Sequence, residues 1–177
     1  MSTVELMYDN WLDAATVTSS SVNSNFPLTN LAWPWYLRYT QTTGSTSEWW
    51  KFDLGSPKGV DRLALKGHNF SSGATIKVYG HASDLGTTPA DWESGASYKS
   101  GALTWRIGQL VAAISSVQTY QWWMLWVQDI GNADGFLQLG KFYVGTKFSP
   151  TYSYAIGFKR KIIDPSDKVS SWGGQTS

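Results

Sequence analysis

Apolar and polar positions alternate with a period of two along most of the chain, and clusters of Gly, Pro, Ser, Thr and Asn cut the alternation into short runs. That is the pattern of antiparallel strands joined by turns. In "EWWKFDLG" (48–55), Trp50, Phe52 and Leu54 share one side, while Trp49, Lys51 and Asp53 share the other, so one face reads as core and the other as largely solvent. A turn is expected at "GSPKG" (55–59), before a strand in which Leu63 and Leu65 oppose Arg62, Ala64 and Lys66. In "ATIKVYGH" (74–81), Ala74, Ile76 and Val78 oppose Thr75, Lys77 and Tyr79. Trp50, Phe52, Leu63, Leu65, Ile76 and Val78 are therefore expected to meet in one core.

"QWWMLWVQDI" (121–130) is apolar on both faces, as suits a central strand or one covered by a neighbouring subunit. Trp123 is the candidate partner contact there. "GFLQLGKFYVGTKF" (135–148) supplies one or two closing strands around Gly140, where a bulge is expected. Helical spacing is nearly absent, so the chain reads as all-β: an antiparallel β-sandwich or jelly roll over residues 1–148. Past Phe148 the alternation stops. Residues 149–177 hold Pro150, Pro165, the basic triplet Lys159–Lys161 and a Ser/Gly-rich end, and read as an extended C-terminal arm. The triplet is expected to be an ordinary solvated stretch. Tyr152, Tyr154, Phe158 and Trp172 are more aromatic than a solvated tail needs, which makes them candidate contacts to a partner.

Composition narrows the function. The 177 residues suit one core with an arm. A formal net charge of +1, with only 15 % charged residues, lacks the basic field that binding phosphate backbones requires, so nucleic acid is not an expected partner. Absence of cysteine removes disulfides, thiolate nucleophiles and sulfur-ligated metals. Glu5 and Asp9 stand where a secretory leader needs positive charge and an apolar run, and no stretch reaches membrane-spanning length, so synthesis in a cytoplasm without membrane insertion is expected. Eleven tryptophans among 15 % aromatics exceed what a small core uses, so some are expected at a surface or interface.

"NFPLTNLAWPWYLRYT", followed by "EWWKFDLGSPKGVDRLALKGHNFSSGATIKVYG" and closed by "LGKFYVGTKF", resembles the discoidin or coagulation-factor C domain family over residues 8–148. The resemblance implies a galactose-binding-like jelly roll. The form of "GHNFSSGAT" and the trailing "DPSDKVSSWGGQ" is similar to discoidin-like modules encoded by tailed bacteriophages and prophages. In carbohydrate-binding relatives an Asp-Gly pair shortly after Asn-Leu often holds a structural calcium. Here Asn30-Leu31 is followed by Ala32, Trp33 and Pro34, so the hard anionic ligand is missing and no metal is expected. The end-to-end disulfide of secreted animal relatives is also impossible in this chain, which fits assembly in a bacterial host cytoplasm.

"GHNFSSG" (67–73) is expected to connect two antiparallel strands, with Gly67 and Gly73 easing the backbone and Asn69, Ser71 and Ser72 satisfying turn amides. His68 then either caps the turn or contacts a sugar. His81 has no ligand-type spacing to it. Trp33, Trp35 and Tyr36 either pack around Pro34 or stack on a sugar, with Arg38, His68 and Asn69 as hydrogen-bonding partners for its hydroxyls. Catalysis finds no support: "GASYK" (95–99) lacks the second glycine of a nucleophile elbow, and Asp129 and Asp134 read as turn acids. No cofactor motif is present either.

Two non-enzymatic functions are consistent with these residues. The first is a structural protein of a bacteriophage particle, in a tail, baseplate or head-associated position. It would be homo-oligomeric and packed against other virion proteins. The alternative is a carbohydrate-binding module that attaches to host-surface glycan.

Overall fold

The computed structural model describes residues 7, 9–33 and 37–148. Among the described residues eight strands carry the fold: β1 (Thr16–Ser19), β2 (Thr40–Gln41), β3 (Glu48–Lys66), β4 (Thr75–His81), β5 (Tyr98–Lys99), β6 (Gln109–Gln128), β7 (Gln138–Leu139) and β8 (Lys141–Gly145). One short helix, α1 (Pro89–Gly95), and two 3-10 turns (Trp11–Ala14 and Leu28–Ala32) complete it. All pairings are antiparallel.

The long strands β3 and β6 pass through both layers of a sandwich. The first half of β3 pairs with β1 and, from Glu48↔Val127 to Asp53↔Trp122, with the end of β6, which pairs in turn with β4. Its second half pairs with the start of β6, down to Lys66↔Gln109, and with β8. At the crossing the register shifts between Asp53 and Lys58, and again between Val60 and Arg62, so each strand bulges where the other runs straight. The expected turn at "GSPKG" is therefore a bulge within one strand. Gly55, with φ +71°, takes the left-handed conformation that a side chain would resist there.

The two layers face each other across an apolar core. Trp50, Phe52, Leu63, Leu65, Ile76 and Val78 are all in it, each at most 1 % exposed, as the period-two phase requires. Phe52 in one layer meets Phe142 of the other with ring centroids 5.4 Å apart. Trp123 is also in this core and fully buried, so it is not a partner contact. Its ring sits between Tyr98 and Tyr120. The room comes from Gly80, where an added Cβ would stand 2.9 Å from Tyr120 and 3.2 Å from Trp123.

The outer face of the first layer differs from the solvent side expected of it. Across β3, β6 and β4 its rows run Trp49–Trp126–Lys77, Lys51–Met124–Tyr79 and Asp53–Trp122–His81. Trp49 and Lys51 are buried. The chain covers this face with its own helix: Trp92 of α1 is fully buried against Met124 and Tyr79, and its indole N–H donates to Gly86 O at 3.0 Å. Lys51, desolvated with them, is paired to Asp84 at 2.7 Å. The double apolarity of 121–130 is that of a central strand between two cores of one chain, with β6 lying between β3 and β4. "GHNFSSG" accordingly does not join hairpin partners. It carries the chain over β6, from β3 to β4.

Candidate functional site

The described residues of 26–39, namely 26–33 and 37–39, bring together the side chains best suited to hold a ligand. The two stems are fixed from below. Asn30 donates from Nδ2 to Tyr39 O at 2.9 Å, and Phe26 stacks on Tyr39 with centroids 4.9 Å apart. The carbonyl of Phe26 accepts from Thr40 Oγ1 and from the Gln41 amide. From β8, Lys141 reaches under the loop, donating to Leu31 O at 3.0 Å and Trp33 O at 3.2 Å while pairing with Asp13 at 2.5 Å. A tip anchored this way can expose apolar groups without collapsing onto the sandwich.

At that tip the Arg38 guanidinium lies over the Trp33 indole, 4.1 Å from its centroid. Stacking orients the guanidinium plane and leaves its N–H groups at the rim free to donate. Trp33 remains 45 % exposed and Leu37 72 %. Beside them Phe26, Asn30, Leu37, Arg38 and Tyr39 line a shallow depression of about 260 Å³. Ligand pockets usually run from roughly 300 to 1,000 Å³, so this one suits a single ring held at an open surface. Trp35 and Tyr36, expected to share the platform, lie outside the described residues.

His68 and Asn69 are not part of this platform's surface chemistry. His68 is buried and stacks on Phe70 with centroids 4.6 Å apart. Neither ring nitrogen has a hydrogen-bond partner among the described residues, so it caps no turn amide. Burial lowers its pKa below the ordinary histidine value, and a marginal approach to the Arg106 backbone opposes the shift without satisfying either nitrogen. Asn69 spends its amide on the protein. It donates to Asp134 at 2.9 Å and Phe136 O at 3.0 Å, and its carbonyl accepts from the Gln138 amide at 2.7 Å. These bonds join the crossover to the loop after β6. Asp129, 2 % exposed, reinforces the junction by accepting from the Ser71 amide (2.7 Å), the Ser71 hydroxyl (2.5 Å) and Asn132 (3.0 Å). Both turn acids are thus structural ties, as their sequence context suggests.

The candidate partner residues Tyr152, Tyr154, Phe158 and Trp172, with the whole expected arm 149–177, lie outside the described residues. Among the described residues no group of three His, Cys, Asp or Glu is placed to hold a metal ion. No helix there is long and apolar enough to cross a membrane.

The fold is an antiparallel β-sandwich, and the solved structures similar to it include carbohydrate-binding modules. The lectin domain of lectinolysin, complexed with Lewis B antigen, matches with a TM-score of 0.58 at 14 % identity, covering 78 % of this chain and 97 % of that one. A Streptococcus pneumoniae fucose binding module matches with a TM-score of 0.57 at 14 % identity, over 77 % of this chain and 94 % of the module. Chitosan-binding module 1 from a chitosanase/glucanase of Paenibacillus sp. IK-5 matches with a TM-score of 0.61 at 14 % identity, over 78 % and 100 %. No sequence-family model matches the chain, and no curated protein does.

Proposed function

We propose that this chain is a non-catalytic carbohydrate-binding module whose ligand docks on the 26–39 loop. The observation that carries the reading is the Trp33–Arg38 pair. An exposed indole offers flat apolar surface on which the C–H face of a pyranose stacks, and the guanidinium stacked over the same ring offers N–H donors at its rim for hydroxyl oxygens. The bonds from Asn30 to Tyr39 and from Lys141 to Leu31 and Trp33 hold the two flanks in place before a sugar binds. Support also comes from the similar structures, since a Lewis B complex, a fucose binding module and a chitosan-binding module share this sandwich.

Trp33→Ala and Arg38→Ala should each weaken binding of a glycan identified on an array by at least about tenfold, with an unchanged thermal midpoint, because neither side chain is in the core. An array without a binder for the intact chain, or a bound glycan indifferent to both substitutions, would overturn the reading.

A second reading, a component of a bacteriophage particle, is favoured by the outer edge of β6. Among the described residues nothing pairs with its 109–119 stretch on the side away from β3. The run "QLVAAISSVQT" has no charge or proline, and Val111 and Val117 are 48 % and 58 % exposed. Unprotected edges of that kind invite a further strand. Co-purification of the chain with assembled particles at fixed stoichiometry tests it, and a chain that stays monomeric and outside particles refutes it.

A further inference from the structure

A separate surface depression lies between the outer face of β4 and β6 and helix α1. It holds about 260 Å³ and is lined by Lys77, Tyr79, Pro89, Ala90, Glu93 and Trp126. Trp126 is the less buried tryptophan of its row: Trp49 beside it is buried, while Trp126 is half-buried and packed against the cluster that Trp92 of α1 forms with Met124 and Tyr79. The indole is fixed in place, because its N–H donates to Ser47 Oγ at 3.0 Å. Pro89 and Ala90 stand across from it as an apolar wall.

One end of this slot is polar, and its charges are balanced. Glu93 Oε2 accepts from Tyr79 Oη at 2.5 Å and from Lys77 Nζ at 2.9 Å, and no bond among the described residues reaches Oε1. The Tyr79 hydroxyl, then Lys77, hold the Glu93 carboxyl below the usual carboxylate range, so it is ionised at neutral pH. Burial, then Glu93, raise the Tyr79 pKa, so that hydroxyl stays a donor. Lys77 Nζ sits 5.6 Å from the Trp126 ring centroid with protons to spare. An anion entering here meets the Glu93 carboxylate, and a cation meets the Lys77 ammonium. A neutral ligand with one apolar face and a hydroxylated edge meets neither penalty.

We infer that this slot is a second carbohydrate subsite, taking one neutral sugar residue with its C–H face on Trp126 and its hydroxyls on Glu93 Oε1 and Lys77 Nζ. The inference rests on reading the chain as a glycan-binding module, but it uses none of the residues of the 26–39 loop. With both sites occupied by one branched or repeating glycan, the second contact becomes intramolecular and avidity exceeds either affinity.

The test follows the indole N–H signals of the ¹⁵N-labelled full chain by NMR while methyl α-L-fucoside, methyl β-D-galactoside and N,N′-diacetylchitobiose are added in turn. The Trp126 and Trp33 signals are assigned by their loss in Trp126→Phe and Trp33→Phe. The expected result is a saturable shift of the Trp126 signal with at least one sugar. It should be kept in Trp33→Ala, weakened about tenfold in Glu93→Gln, and lost in Ala90→Phe, which fills the slot from an exposed position without removing a core group. If Trp33 responds and Trp126 does not, or if Trp126 still responds in Ala90→Phe, the subsite is refuted while the loop reading stands. If Trp126 alone responds, the subsite stands and the loop reading falls. If neither responds to any of the three sugars, both fall.

Discussion

Replacing Asp129 by Ala removes the acceptor that ties the crossover after β3 to the loop after β6. Three bonds go at once: from the Ser71 amide at 2.7 Å, the Ser71 hydroxyl at 2.5 Å and Asn132 Nδ2 at 3.0 Å. Hydrogen bonds to a charged group contribute about 1.5–3 kcal/mol each, so a plain sum would be about 5–9 kcal/mol. Two effects cut it down. Ser71 and Asn132 are only half-buried, so water can replace part of what they lose, and the variant no longer desolvates a carboxylate that is 2 % exposed. A net loss of about 3–4 kcal/mol is expected, in line with breaking other buried charged networks. With a urea dependence of about 2 kcal/mol per molar, the midpoint followed by tryptophan fluorescence should fall by about 1.5–2 M. Ser71→Ala keeps the amide bond and should cost about 1 kcal/mol. Combined with Asp129→Ala in a double-mutant cycle, it should show a coupling of about 1 kcal/mol. A midpoint shift under about 0.3 M for Asp129→Ala, or additive effects of the two substitutions, would refute the tie.

Truncating Ile76, fully buried on β4 opposite Val127, to Ala should cost about 2–5 kcal/mol in the same assay, and a cost under about 0.5 kcal/mol would contradict its place in the core. His68 offers a pH test: because burial lowers its folded pKa, the unfolded chain binds a proton near pH 6.5 that the folded chain resists. Its contribution to stability is therefore complete above about pH 6.5 and declines as pH falls below it, at no more than about 1.4 kcal/mol per pH unit. His68→Phe, which can keep the stack on Phe70, should flatten the difference in urea midpoint between pH 7.5 and 5.5; an unchanged difference would show that His68 is free to protonate in place.

The inner faces were legible because alternation reports burial directly. Each of the six residues, read from three runs of alternation that the fold places on the two strands β3 and β4, faces one core, since a period-two run can bury its apolar phase only one way. What alternation does not report is where a strand ends. "GSPKG" carries Gly and Pro, the usual marks of a turn, yet β3 runs through it, because the paired bulges of β3 and β6 absorb the extra residues and let both strands change layers. Helix α1 was missed for a different reason: seven residues are too few to show a helical period. Thr88 ahead of Pro89 at the first turn, with Asp91 behind it, was the available signal. That helix also decides why Trp49 and Lys51 are buried, so the outer face could not be read without it.

Site residues divide along the same line between local and long-range causes. Trp33 and Arg38 were singled out as a ring and a cation in a stretch without alternation, and the fold stacks one on the other with Trp33 exposed. His68 and Asn69 looked equally available, being polar residues in a glycine-flanked segment. Their fates depend on partners far along the chain: Asn69 on Phe136 and Gln138, and His68 on burial beside Phe70 near Arg106. Glu93 and Trp126 are the converse case. Thirty-three positions separate them, and only α1, seated by Trp92 on the outer face of the sheet, turns a surface acid and a strand tryptophan into two sides of one slot. The excess of tryptophan thus has a partition that composition could only hint at. Trp50, Trp92 and Trp123 are fully buried, while Trp33 is exposed and Trp126 half-buried, each beside a cation.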